Sequence, residues 1–277
     1  MSRLFILTLN WNGEDKLKKL APSLINSLSN IDYEWYVKDN ASKDGSVNYL
    51  KSLNNDKIKI IEYKDNNQNF SAGMNYLFNE IKPKDEDLIL LLNNDVVFND
   101  TVSIDKMVSI IRNDPKVGVV GAKLLFSNTN LLQHAGVVIH DSINMPFHFR
   151  SREIDDANSS ANRTFQIVTG AVLLTKAEYF RKVCTTNSSG INGMDEKFHW
   201  AFDDVDLCLF INIVLNKKIV YCGETNIYHE ESASLKKNPV NKIFLTQNML
   251  LLRKKWIYKW NTDLIKYFKD VNYNLYK

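Results

Sequence analysis

The chain has little of what punctuates or staples a small fold. Its 277 residues include only ten glycines and five prolines, too few for a collagenous or linker-dominated chain. The three cysteines, Cys184, Cys208 and Cys222, form no C-x-x-C pair and no even framework. That points to a reducing compartment, with the thiols serving as small buried apolar groups. Neither charge sign dominates: 35 basic and 32 acidic side chains leave a net charge of +3, so the basic signature of a nucleic-acid partner is missing. No apolar run approaches the roughly 18–20 residues that span a bilayer. The longest, Leu88–Leu92 and Val168–Leu174, are strand-sized. Leu4–Leu9 has no small-residue cleavage site and runs straight into Asn10-Trp11-Asn12-Gly13, so it reads as a first strand rather than a signal peptide. A soluble, cytoplasmic chain is the expectation.

What is present is core-forming material: 44% of the chain is hydrophobic and 11% of it aromatic, enough to fold a substantial domain. The first 120 residues alternate regularly. Strands are expected at Leu4–Leu9, Glu34–Lys38, Ile58–Tyr63 and Leu88–Leu92, and helices at Glu14–Leu28, Ser46–Leu53 and Ala72–Ile81. Strand–helix alternation with short connections predicts an open, mostly parallel α/β sheet. After Val117–Val120 the rhythm breaks. Short strands are expected at Lys123–Phe126, Gly136–Ile139 and Gln166–Leu174, around a polar, mobile loop from Asp141 to Arg163. A helix from Asp204 to Leu215, strands at Ile219–Cys222 and Asn226–Tyr228, and a long helix from Pro239 complete the chain.

In an open α/β sheet, ligands sit beyond the carboxyl ends of the strands. Four such ends carry polar clusters: Asn10-Trp11-Asn12-Gly13, Asp39-Asn40-Ala41-Ser42 with Asp44-Gly45, Asn66 to Gly73, and Asn93-Asn94-Asp95. Each alone is ordinary turn composition; together they converge on one sheet edge. No G-x-G-x-x-G and no Walker loop follows any strand, which disfavours a dinucleotide dehydrogenase. A diphosphate bound here needs another positive charge, and a divalent metal on Asp95 would supply it, with hard oxygen ligands suiting Mg²⁺ or Mn²⁺.

A second constellation is Asp195-Glu196-Lys197-Phe198-His199-Trp200-Ala201-Phe202-Asp203-Asp204-Val205-Asp206-Leu207, with three acids in four residues at a helix mouth. Acids there complement the helix dipole, and one of them could equally serve as a general base. The spacing alone leaves both readings open. A third is Tyr228-His229-Glu230-Glu231, while His134, His140, His148 and His199 show no metal-ligand spacing.

These residues resemble the family two glycosyltransferases of GT-A fold, in particular their bacterial rhamnosyltransferase-like branch, over roughly Leu4 to Leu252. Asp39 to Ser46 is similar to that family's Asp-Asn-x-Ser-x-Asp-Gly segment, and Asn67 to Asn75 to its Asn-x-Gly-Phe-Ala-x-Gly-x-Asn segment. Leu92 to Asp95 is similar to a D-x-D variant, and Asp195 to Leu207 to the Asp-Glu-x-Phe-Phe-x-x-x-Glu-Asp-x-Asp-Leu motif. Asn69 stands where Gly is usual, Asp203 for Glu, Asn93 for the first acid of D-x-D, and Gln247 for Arg. A left-handed backbone is therefore expected at Asn69, which Asn tolerates.

The resemblance implies a GT-A domain over residues 1–238. Its halves would be a nucleotide-binding part (1–120) and a smaller mixed-strand acceptor part (121–238), followed by a basic amphipathic helical region at 239–277. It implies nucleotide contacts from Asn10, Trp11, Asp39, Asp44, Asn67, Phe70, Asn75 and Asn94. Asp95 with His229 would hold Mn²⁺ or Mg²⁺, Asp204 would be the base with Asp203 beside it, and Trp200 and Asp206 would face the acceptor. The implied donor is a UDP-, dTDP- or GDP-sugar, with inversion at the anomeric carbon. The implied acceptor is a saccharide or lipid-linked saccharide of bacterial surface polysaccharide synthesis. Two alternatives stand beside this. A sugar-1-phosphate nucleotidyltransferase would need a Gly-rich, Arg-containing loop after the first strand, which Asn10–Gly13 is not; a catalytically silent nucleotide-binding subunit is suggested by the departures at Asp203 and Asn93. Leu245, Met249, Leu252, Trp256 and Trp260 recur at helical spacing beside Arg253, Lys254, Lys255 and Lys259, either as a packed helix or as a peripheral membrane contact.

Overall fold

The computed structural model describes residues 2–63, 69–183, 193–199, 201–230 and 240–270. Asn67, Trp200 and Cys184 lie outside the described residues. Strands β1 (Leu4–Asn10), β2 (Tyr33–Asp39), β3 (Ile58–Glu62) and β4 (Leu88–Leu92) alternate with helices α1 (Glu14–Asn26), α2 (Ser46–Ser52) and α3 (Phe70–Ile81), within a residue or two of expectation. Val96–Phe98 forms β5 and Ser103–Asn113 forms α4. The sequence analysis passed over that helix, although Ile104, Met107, Val108 and Ile111 repeat at helical spacing and are all buried.

The main sheet runs β3-β2-β1-β4 in parallel. It continues through β11 (Val172–Lys176), antiparallel to both β4 and β6 (Val117–Phe126), and then β12 (Lys218–His229), parallel to β6. Short strands β7 (Leu132–His134) and β10 (Arg163–Phe165) pair with β6 and β12, and β8 (Val137–Ile139) with β9 (Pro146–His148) in a separate hairpin. The architecture is thus a mostly parallel α/β sheet flanked by helices. Both faces are covered. Leu4, Ile6, Leu88 and Leu90 pack with α1 and α4, whereas Phe5, Leu7, Ile89 and Leu91 pack with α3, which is why β4 is apolar at every position.

Three expectations change. Val117–Val120 and Lys123–Phe126 belong to one ten-residue strand, and Ile219–Cys222 and Asn226–Tyr228 to one strand irregular between Cys222 and Ile227. Polar residues inside each suggested a break, but Lys123 N–H donates to Thr225 Oγ1 across the pair at 2.8 Å, so the side chain of one strand completes the ladder of the other. Asp141–Arg163 is built rather than loose: Arg150 pairs with Glu153 at 2.8 Å and Asp156 at 2.9 Å, and Lys123 with Asp155 at 2.9 Å. Helix α5 (Ala177–Lys182) follows β11, and α6 (Asp203–Leu209) continues as a π turn over Phe210–Val214.

The last two helices are α7 (Val240–Trp256) and α8 (Leu264–Asp270). Leu252, Trp256 and Trp260 are buried, and Trp260 donates to Asn144 at 2.7 Å. Much of the aromatic stripe is therefore packed against the domain. Among the described residues no helix is long and apolar enough to cross a membrane.

Candidate active site

β4 delivers three successive residues to its carboxyl end, and each turns to a different partner. Asn94 donates to Asn10 Oδ1 at 2.9 Å. Asn10 in turn donates to Asp39 at 2.9 Å, and Asp39 also accepts from Ser42 N and Oγ at 2.8 and 2.6 Å. This row joins β4, β1 and β2. Gly13 is required beside it, because a Cβ there would lie 2.4 Å from Asn10 Oδ1 and 2.5 Å from Asn94 Nδ2. Asp44 binds Glu14 N and Ser46 N, both at 3.0 Å, tying the β1 and β2 exit loops together. Trp11 stands 57% exposed above the row.

Asp95, 4% exposed, turns the other way. Antiparallel pairing of β5 with β12 sets His229 opposite Val96, and His229 Nε2 lies 3.1 Å from Asp95 Oδ1. His229 Nδ1 is 2.6 Å from Gln133 Oε1, whose amide Nε2 donates to the His229 carbonyl at 3.4 Å. With Nδ1 turned to Gln133, Nε2 is the ring nitrogen that faces Asp95. A carboxylate oxygen and an imidazole nitrogen are donors that Mn²⁺ accepts, phosphate oxygens and water completing its shell. Among the described residues no cluster of three or more His, Cys, Asp or Glu could hold a metal by itself, so the fit is to an ion shared with a ligand. Asn93, the third member, donates toward His229 Nε2 at 3.4 Å.

Because β11 runs antiparallel, its start meets the end of β4, and Asn93 N–H donates to Ala171 O at 2.9 Å. The preceding turn, Thr169–Gly170, holds Asp204: Gly170 N–H donates to Asp204 Oδ2 at 2.7 Å, and Val205 N–H to Oδ1 at 2.8 Å. A Cβ on Gly170 would sit 2.9 Å from Asp204 Cβ. Asp203 accepts from Ser71 Oγ at 3.3 Å. Burial first, and the neighbouring Asp204 charge second, push its carboxyl up to about 7. Helix α6 begins at Asp203 after Phe202, which adopts a left-handed backbone at φ 68°.

A cavity of about 600 Å³ lies between these groups, lined by Asn93 and His229 on one side and Asp203 and Asp204 on the other, with Phe70, His148 and Phe202 on its walls. The Asn94–Asn10–Asp39 row and Asp95 do not line it; Asp95 adjoins it through His229. Asn69 does not take the expected left-handed backbone. It is extended (φ −70°, ψ 174°) and caps α3 through Ala72 N, while its amide donates to Glu196 O at 2.7 Å. Asn75 is buried, bonding Met194 N and O at 2.8 Å and Glu196 Oε1 at 2.9 Å, so it holds the 194–196 segment. Asp206, also buried, accepts from Trp256 Nε1 at 2.7 Å and pairs with Lys255 at 2.7 Å, which also bonds Asp195 at 3.0 Å. It faces α7.

Sequence reasoning missed Gln133, Gly170 and Lys16, whose Nζ lies 3.1 Å from Asp95 Oδ2. None belongs to a cluster, since each acts through one contact that only the fold creates.

The profile of Glycosyl transferase family 2 matches residues 5–177. No curated protein sequence matches the chain. Among solved structures it is similar to Staphylococcus aureus TarS 1–349 (TM-score 0.57, 12% identity, 82% of this chain and 60% of that one). It is similar as well to the mannosyltransferase PcManGT from Pyrobaculum calidifontis in complex with GDP-Man and Mn²⁺ (0.62, 12%, 97% and 67%). GalNAc-T7 with UDP, GalNAc and Mn²⁺ gives 0.61 at 11% identity, covering 83% of this chain and 44% of that one. The chain thus spans about 60% of the TarS chain it matches. With a family profile covering more than half of its length and a sheet of the GT-A type, the chain belongs to glycosyl transferase family 2.

Proposed function

We propose that the chain is an inverting, metal-dependent glycosyltransferase that moves a sugar from a nucleotide diphosphate to an acceptor hydroxyl on a glycan or lipid-linked saccharide. One observation carries this reading: Asp203 and Asp204 line the same cavity as Asn93 and His229, and His229 contacts Asp95, an acid more than a hundred residues away in sequence from Asp203 and Asp204. In this reading the Asn94–Asn10–Asp39 row with Trp11 receives the nucleoside, and Asp95 with His229 holds Mn²⁺ or Mg²⁺. The ion supplies charge neutralisation for the departing diphosphate. Asp204 takes the proton of the attacking hydroxyl. The new oxygen–carbon bond forms as the anomeric carbon–phosphate oxygen bond breaks, and the nucleotide diphosphate leaves on the opposite face. Asp203 and the 169–170 turn hold Asp204 in place, and fixed placement of both substrates lowers the barrier further.

The Mn²⁺-bound nucleotide sugar of PcManGT and the UDP and Mn²⁺ of GalNAc-T7 support the donor class and the metal. A rhamnosyl or other hexosyl donor, a polysaccharide pathway and a cytoplasmic setting belong to the same proposal. So does peripheral membrane contact, which would use the exposed Ile243, Leu250 and Tyr258 beside Lys254 and Lys259. Flotation with anionic liposomes tests that contact, and a protein that stays at the bottom of the gradient removes it.

The test of function is nucleotide release from UDP-, GDP- and dTDP-sugars with Mn²⁺. Asp204→Asn and Asp95→Ala are each expected to lower turnover by roughly 10²–10⁴-fold; two variants working like the parent would overturn the roles. Nucleotide binding without turnover across donors and acceptors would favour the silent-subunit reading.

A further inference from the structure

We propose that Lys16 is an internal counter-ion of Asp95 that passes to the donor diphosphate when a divalent cation takes the carboxylate. The inference rests on the donor reading above and adds to it a residue that none of the sequence motifs contains. Helix α1 starts just after the β1 exit and lays Lys16 and Lys19, three residues apart and so on one face, toward the end of β4. Lys16 Nζ lies 3.1 Å from Asp95 Oδ2, and Lys19 pairs with Glu230. Glu230 N–H donates to Asp95 O at 2.9 Å, so the two ion pairs are neighbours.

The two ends of the Lys16–Asp95 pair differ in freedom. The Asp95 side chain is 3% exposed, whereas that of Lys16 is 33% exposed. Asp95 is therefore fixed, and the ammonium is the end that can leave. A buried carboxylate needs a positive partner at all times, and Lys16 provides one on the Oδ2 side while Oδ1 faces His229. A second cation on the Oδ1 side would repel the ammonium.

The ion's ligands would lie roughly 2.0–2.2 Å from it, so a phosphate oxygen on the same ion would sit within roughly 4 Å of Asp95. That is the shell in which Nζ already stands. Rotation about the lysine stem is enough to exchange one oxygen anion for the other. The chain has no glycine cradle for phosphate, and α1 brings the cations that such a cradle would otherwise replace.

The two roles give effects of opposite sign on one substitution, which a purely structural lysine would not. In Lys16→Met the stem and its packing remain but the competing charge is gone. Mn²⁺ alone, titrated by electron paramagnetic resonance, is expected to bind several-fold tighter than to the parent. UDP, GDP and dTDP are titrated by calorimetry in saturating Mn²⁺, and whichever binds the parent is expected to bind about tenfold weaker, the scale of one charged hydrogen bond. Lys16→Gln repeats the measurement with a polar stem should the Met variant fold poorly. Mn²⁺ affinity that is unchanged or lower, or nucleotide affinity that is unchanged, overturns the proposal. If none of UDP, GDP and dTDP binds the parent in that titration, the donor reading and the phosphate half of the inference fall together, while the Mn²⁺ titration still decides the counter-ion half.

Discussion

Lys255→Met tests how the C-terminal helices support the site. Lys255 bonds Asp195 at 3.0 Å and Asp206 at 2.7 Å, and the two acid side chains are only 5% and 3% exposed. Removing the ammonium leaves two buried carboxylates facing each other, and breaking a buried pair in this way typically costs about 3–5 kcal/mol. For a domain of this size, at roughly 2–4 °C per kcal/mol, Tm is expected to fall by about 6–20 °C. The deficit also depends on pH. Burial already raises the Asp206 carboxyl although Lys255 opposes it, and loss of Lys255 raises it further. A folded-state pKa above the unfolded value costs stability as the group ionises, so the cost is absent below the unfolded value and fully present above the folded one. Differential scanning calorimetry should therefore show a smaller deficit at pH 5 than at pH 8. Asp206→Asn in the same background should recover part of the loss. An unchanged Tm, or a deficit equal at both pH values, would refute the idea that this lysine neutralises the two acids.

Two further outcomes follow from the Asp203–Asp204 pair. Gly170→Ala places a methyl 2.9 Å from Asp204 Cβ; it should cost about 1–3 kcal/mol in denaturant unfolding yet lower turnover by on the order of 10²-fold, because a displaced base loses alignment. Turnover within a factor of two of the parent would show that the base position tolerates the shift. Asp203→Asn removes a carboxyl held up to about 7 by burial and by Asp204, whose ionisation penalises the fold as pH rises from its unfolded value near 4. The variant's stability relative to the parent, read from denaturant unfolding, should thus increase from pH 5 to pH 8, by no more than about 3 kcal/mol at 1.36 per unit over the roughly two units between pH 5 and 7. It should increase by less than that, because Asp203 also borders the cavity and the two carboxylates titrate as a pair. A pH-independent difference removes the buried-acid account.

The first 120 residues were legible because their signals are local. The all-apolar β4, the leucine spacing of α1 and the polar clusters at strand ends each reflect one element's own burial. Residues 121–238 were less legible because their order comes from long-range pairs. Arg150 with Asp156 turns a polar stretch into a fixed one, and Thr225 bridges to Lys123 across two strands that each looked broken. At the site the motif residues stood out, but their tasks did not. Asp206 and Asn75 sit inside motifs and spend their hydrogen bonds on Trp256, Lys255 and the 194–196 segment, which spacing cannot distinguish from contact with a ligand. Lys16 gave no signal, since a lysine in a helix's first turn looks like any solvated charge until the fold sets Asp95 against it.

The convergence of remote acids has a topological cause. β4 and β12 both end on the same sheet edge, since β4 and β6 are each antiparallel to the intervening β11 and β12 is parallel to β6. The antiparallel β11 starts on that edge, so its entry turn delivers Gly170 and Ala171 where a parallel strand would deliver its exit. Only the start of a strand can present a free N–H pointing back at a helix mouth while its neighbour continues the ladder: Gly170 N–H binds Asp204 as Ala171 O accepts from Asn93. Asp204 and the Asn93–His229 wall are therefore held by adjacent residues of one turn. A change that reverses or lengthens that turn should disturb both sides of the cavity at once, whereas Asp39 and Asn10, anchored on β1 and β2, should keep their geometry.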